Sequence, residues 1–248
     1  MTLPVNTLEL NTFSIVARCE RSGELGVAVA SAVPAVGSIC PYLLPGVGAV
    51  STQSWVNPYL AIDLLAAMQA GAPARAALDA VLASDAEAAL RQLGVIGLQG
   101  AGAAFTGNGC TPWRGHLSGA DFAVQGNMLL GEATLLAMRQ AWLADPAAAL
   151  AERLLTALEA GDRAGGDLRG KQSAAVKTVG AEAYASVDLR VDEHPEPVDE
   201  LRRIWRVAQR QLLPFVQGMP RRAGAARSLP ASVTALLLRP SAQRGELP

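Results

Sequence analysis

The chain has 248 residues, half of them apolar, with few aromatics and a formal net charge of −1. That length holds one large domain or two small ones and supplies a substantial core. A nucleic-acid surface, which needs a basic face, is excluded by the charge balance, and no apolar run approaches the length of a membrane span. Residues 1–11 carry no Lys or Arg and no long apolar stretch, so they make a poor signal peptide and read as a short, poorly ordered extension. Cys19, Cys40 and Cys110 fit neither a zinc spacing nor a disulfide framework, which points to a reduced, cytoplasmic setting without a metal.

Thr12–Val33 reads as two strands around the turn Arg21-Ser22-Gly23-Glu24, where Gly23 is free to take positive φ. The returning strand, Gly26–Val33, has no charge, so it is expected to be covered on both faces and central. Ala35–Pro45 reads as a loop with one short strand, and Gly46–Trp55 as a buried strand. Asn57-Pro58 opens a helix in which Leu60, Leu64, Leu65 and Met68 recur at helical spacing until Gly71. Pro73–Leu82 and Asp85–Arg91 read as two further helices, the second capped by Ser84.

Strands return at Gln92–Gln99 and Ala103–Thr106 around the turn Gly100-Ala101-Gly102. Gly107–Gly119, with Trp113 and His116, reads as a surface loop, and Asp121–Gln125 as a strand ending at Gly126-Asn127. Two helices are expected over Glu132–Ala144 and Pro146–Ala160, the second ending before Gly161. The densest glycine cluster, Gly161–Gly170, leads into strands at Lys171–Val179 and Ala183–Val191. A last helix runs from Pro195 to about Leu213. Strands arriving in adjacent pairs favour antiparallel pairing. The expected architecture is an α+β chain of two packed antiparallel sheets with helices on both outer faces. Residues 12–216 form the domain, and 217–248 a tail of Arg, Pro, Gly, Ala and Ser read as disordered.

Six motifs occur in one order: TFSIVARCERSGELGVAVAS, GVGAVSTQSWVNP, AAFTG, FAVQGNML, GGDLRGKQSAA and VDLRVDEHPEPVDELRR. Together, over about Thr12 to Leu213, they resemble the DUF1028 family, which is similar to the N-terminal-nucleophile (Ntn) hydrolases. The resemblance implies a four-layer αββα sandwich and a cofactor-independent attack on an amide or ureido carbonyl by a Thr, Ser or Cys at the head of a central strand. The free α-amine of that residue is the base, since an amine with a pKa near 8 accepts a proton at neutral pH and a peptide nitrogen does not. Matching TFSIVA to the family's opening places the nucleophile at Thr12. Eleven residues precede it. Either the chain cleaves itself between Asn11 and Thr12, or the natural start lies further along, or Thr12 stays an ordinary strand residue.

The remaining candidates each have two readings. Ser14 lies on the same strand face as Thr12 and is placed to support it. Gly126 and Asn127 form an oxyanion hole, or make a turn and a helix cap. Asp167 holds an amine and Arg169 clamps a carboxylate, or the two pin a tight turn. Gln53 and Ser54 line a pocket or close a loop, and Gln172 and Ser173 face the site or stabilise a strand. Glycine-rich 165–170 is no phosphate loop, because it lacks GK[ST] and runs from helix to strand. Two functions remain open: an amidohydrolase for a small-molecule substrate, or a non-catalytic binding or assembly protein of the same fold. A homodimer is compatible with either.

Overall fold

The computed structural model describes residues 9–10, 12–224 and 229–240. Its strands are β1 (Glu9–Leu10), β2 (Thr12–Arg18), β3 (Leu25–Ser31), β4 (Pro41–Leu44), β5 (Gly48–Trp55), β6 (Arg91–Gly97), β7 (Ala103–Thr106), β8 (Gly115–Ser118), β9 (Phe122–Asn127), β10 (Ser173–Val179) and β11 (Ala185–Val191). The helices are α1 (Pro58–Gln69), α2 (Ala74–Ser84), α3 (Ala133–Ala144), α4 (Leu150–Arg163), α5 (Pro197–Gln211), α6 (Leu213–Gly218) and α7 (Ala231–Leu238). Two compact units divide after Leu201, inside the range assigned above to one domain. The first contains all the strands and α1–α4. The second contains most of α5 with α6 and α7.

The first unit is the expected four-layer sandwich. In one sheet β5, β6 and β7 lie in that order, and β4 and β1 share the free edge of β5. The other sheet has the order β11-β10-β3-β2-β9-β8, and every pairing in both is antiparallel. Helices α1 and α2 cover the first sheet, α3 and α4 cover the second, and β2 packs across on β5 and β6. The opening hairpin is therefore central, and every residue of β2 and β3 is buried.

Alternation along β2 divides its side chains between two environments. Phe13 faces the helices beside Gly161 and Gly166. Thr12, Ser14, Val16 and Arg18 face the other sheet. The layer between the sheets thus changes character along its length. Val16 joins Leu25, Val27, Ala49 and Ile96 in an apolar middle. At one end the Arg18 guanidinium donates to the carbonyls of Gly97 at 2.8 Å and Gly100 at 2.9 Å. At the other end lie Thr12 and Ser14.

Several expectations are corrected. No α-helix forms over 85–91. The Asp85 carboxylate accepts from Glu87 N–H at 3.2 Å and Arg91 Nε at 2.7 Å, a short 3-10 turn follows at Ala88–Leu90, and Arg91 starts β6. Ser84 is no cap, since its hydroxyl donates back to the Val81 carbonyl at 2.8 Å. The 107–119 loop contains the edge strand β8. Helix α4 continues through Gly161, where a Cβ would stand 2.6 Å from Met138 Cγ, so glycine allows the close packing of α3 on α4. Of residues 1–11, Glu9–Leu10 form a paired strand and the rest lie outside the described residues. The tail read as disordered contains α7, while 225–228 and 241–248 lie outside the described residues.

Candidate active site

Thr12 is the first residue of β2, opposite Ser31 of β3 on one side and Asn127 of β9 on the other. It is fully buried, and its hydroxyl donates to Ser31 Oγ at 3.2 Å. Neighbouring side chains on this end of the inter-sheet layer are amides and hydroxyls. Ser14 Oγ donates to Gln53 Oε1 at 2.6 Å and accepts from Gln125 Nε2 at 2.5 Å. Gln53 Nε2 donates to the Thr12 carbonyl at 3.2 Å and to Gln92 Oε1 at 2.7 Å. Asn127 Nδ2 donates to the same Gln92 oxygen at 2.9 Å. Gln92 Nε2 reaches Gly126 O at 2.8 Å and Thr106 Oγ1 at 2.9 Å, and Thr106 in turn meets His116 Nδ1 at 2.9 Å.

The fold makes room for this cluster at the expense of a side chain. Gly94 stands where a Cβ would lie 2.1 Å from Gln125 Oε1, so the Gln125 amide fills the space of a β6 side chain. Two non-glycine residues with left-handed backbone follow directly on cluster members: Ser54 (φ 65°) after Gln53, and Met128 (φ 51°) after Asn127. Such conformations are uncommon and concentrate at functional sites. Buried Oδ1 of Asn127 and Oγ of Ser54 have no hydrogen-bond partner.

The structure brings Thr12, Ser14, Gln53, Gly126 and Asn127 together. Gly126 contributes its carbonyl, and Asn127 ends a strand rather than capping a helix. Asp167 is buried in the loop between α4 and β10, where it bridges Leu129 just past β9. It accepts from Arg169 N–H at 2.8 Å and pairs with the Arg169 guanidinium at 3.4 Å. Burial raises its carboxyl above the ordinary range, against the pull of Arg169 and the Ala32 N–H. This is the pinned-turn arrangement. Ser173 also serves the scaffold, donating to Val33 O at 2.6 Å and accepting from Val36 N–H at 3.0 Å. Gln172 binds Ser31 O through its backbone N–H at 2.7 Å.

Gln92, Gln125 and Ser31 are cluster members that sequence reasoning missed. Their signal was an amide or hydroxyl inside a strand otherwise made of apolar and glycine residues, as in QLGVIG and DFAVQ. Among the described residues no group of three His, Cys, Asp or Glu is placed to hold a metal ion, and no helix is long and apolar enough to cross a membrane.

A family model described as "Family of unknown function (DUF1028)" matches residues 12–201. No curated protein matches the chain. The crystal structure of protein SPO2555 from Silicibacter pomeroyi, itself described as DUF1028, superposes with a TM-score of 0.81 at 29% identity, covering 89% of this chain and 96% of that one. Anbu (ancestral beta-subunit) from Yersinia bercovieri superposes with a TM-score of 0.38 at 12% identity, covering 84% of this chain and 98% of that one.

Proposed function

We propose that this chain, which belongs to the DUF1028 family, is a cofactor-independent amide hydrolase with the Thr12 hydroxyl as nucleophile. One observation carries the reading: Thr12 heads the central strand β2 with its hydroxyl on the Ser31 hydroxyl and its carbonyl on the Gln53 amide of a buried polar cluster. On this reading the αββα sandwich is of the Ntn type. Thr12 Oγ attacks the Asn11 carbonyl carbon, the Asn11–Thr12 amide becomes an ester, and water hydrolyses it. That releases residues 1–11 and leaves a free α-amine. The amine then takes the Oγ proton as Oγ adds to a substrate amide carbonyl. The departing amine receives that proton, and water cleaves the acyl ester to a carboxylic acid. Ser14 and Gln53 hold the strand end in place. Cys19, Cys40 and Cys110 are buried and held in no disulfide, which suits a reducing, cytoplasmic compartment.

The second reading, a binding or assembly protein, is favoured by the complete burial of Thr12 with the chain intact. Intact-mass measurement after long incubation separates the two. A hydrolase yields a chain beginning at Thr12, with release abolished in Thr12→Ala, and an amide-library screen then finds substrates cleaved by wild type alone. A chain that retains residues 1–11 indefinitely, or equal turnover in Thr12→Ala, removes the hydrolase reading.

A further inference from the structure

One residue fixes the direction of the hydrogen bonds around Thr12. Gln92 Nε2 lies 2.8 Å from the Gly126 carbonyl and 3.2 Å from the Gly115 carbonyl. Both are acceptors only, so this atom is the amide NH2. Gln92 Oε1 therefore accepts, from Gln53 Nε2 at 2.7 Å and from Asn127 Nδ2 at 2.9 Å. The Gln53 amide is fixed a second time by the Thr12 carbonyl at 3.2 Å, again an acceptor only. With one N–H of its NH2 given to Gln92, Asn127 holds Oδ1 buried and without a partner. Asn127 stands directly opposite Thr12 in the β2–β9 ladder. Side chains opposed in this way leave the sheet on the same face with Cβ atoms about 5 Å apart.

We propose that Asn127 is a positioning residue whose Oδ1 accepts a hydrogen bond from the Thr12 α-amine, and from the ammonium it becomes, once residues 1–11 are released. Gln92 sets this polarity. The proposal rests on the nucleophile reading above and changes the role of Asn127 within it. Of the two N–H groups on Asn127 Nδ2 one is given to Gln92, and Oδ1 is the atom left buried without a partner. A carbonyl oxygen suits a positive charge. No proton or bond passes to Asn127; it orients the amine lone pair toward Thr12 Oγ and stabilises the cation that forms when the Oγ proton moves across.

Titratable and charged groups near this end are few. Among the described residues, Gln53, Gln92 and Asn127 hydrogen bond to neutral groups. Beyond them lie His116 behind Thr106, and Asp167 with Arg169. Lys171 is tied to Asp162 and Glu196, and the Cys110 thiol donates to Arg91 O. The Arg91 side chain is held by Asp85 and Glu87.

The test uses the full chain and its Asn127→Leu and Asn127→Asp variants, incubated until intact mass is constant. The α-amine pKa is then read from the pH dependence of its acetylation by trace acetic anhydride, measured on the N-terminal peptide. Loss of the acceptor in Asn127→Leu is expected to lower the midpoint by about one pH unit, and the carboxylate in Asn127→Asp to raise it by about as much. A residue that only supports the fold moves neither. Asn127→Asp keeps the shape of the side chain and decides the matter alone if the leucine variant does not fold. A processed chain whose midpoint stays put in Asn127→Asp overturns the positioning role and leaves the nucleophile standing. Chains that all keep residues 1–11 overturn both, because no amine then exists.

Discussion

Gln92 has the largest share of the polar cluster, since its single amide joins β6 to Gln53, Asn127, Thr106 and the Gly126 carbonyl. Replacing it by leucine strips the buried Asn127 NH2 of its acceptor, the Gln53 NH2 of one of its two, and the Gly126 carbonyl of a donor. A buried polar group stripped of its partner costs about 1–3 kcal/mol, whereas the net worth of an ordinary hydrogen bond is about 1 kcal/mol. Gln92→Leu is therefore expected to lower stability by about 3 kcal/mol, read as a shift in urea midpoint at constant slope. The amide inside an apolar strand was the one trace of this in the sequence. A glutamine in a strand carries no periodic signal, and its importance comes from five partners distant in sequence. Thr12 differs: its place at the head of the first central strand could be read from the charge-free hairpin and the motifs. The partners of its hydroxyl and carbonyl could not.

At the scale of elements, local chemistry was legible where it is enforced locally. Asn57 caps α1 as expected, its side chain accepting from Tyr59 N–H at 3.1 Å with Pro58 as the first helical residue. The errors fall where tertiary contacts override propensity. Glycine normally weakens a helix, yet Gly161 lies within α4 because Met138 of α3 occupies the space beside it. Gly161→Ala improves helix propensity and still overpacks this contact. We expect a net loss of about 1–3 kcal/mol, measured as a lower melting temperature with unchanged secondary structure. Likewise the acidic stretch after α2 reads as helical until the Arg91 side chain draws Asp85 and Glu87 onto the start of β6. Pairing of β8 with β9 was invisible because a four-residue edge strand in a glycine-rich segment has almost no pattern of its own.

For the whole molecule, the carboxylates of half-buried Asp85 and buried Asp167 impose opposite pH dependences on stability. Burial works to raise the Asp85 carboxyl, but hydrogen bonds from Arg91 and the Glu87 N–H, with the Arg91 charge, outweigh it and hold the group below its usual range. Its contribution is present above the unfolded-state pKa of about 4 and is lost as pH falls through the lower folded value. Asp167 runs the other way: its folded value is raised, so stability is greatest below about pH 4 and declines as pH rises through that value. Asp85→Asn should cost about 3 kcal/mol at pH 7, with the deficit shrinking in acid. In Asp167→Asn the decline above pH 4 should flatten. Urea midpoints from pH 3 to 7 check both signs; parallel curves for wild type and either variant would contradict the assignment. Layer order and the antiparallel sense of the pairing were readable at this scale, because alternating runs of apolar strands and helices admit few arrangements. The division after Leu201 was not, because α5 is continuous in pattern across it.

The graded layer between the sheets has one more consequence. Hydrocarbon alone lets two stacked sheets slide past each other at little penalty. Here a displacement by one side-chain pair would set Ser14 against the Val16 level and withdraw the Arg18 guanidinium from its carbonyls. Donors and acceptors at both ends act as alignment pins, so the sandwich has a single seating, and the nucleophile's address is written into the way the two halves mate.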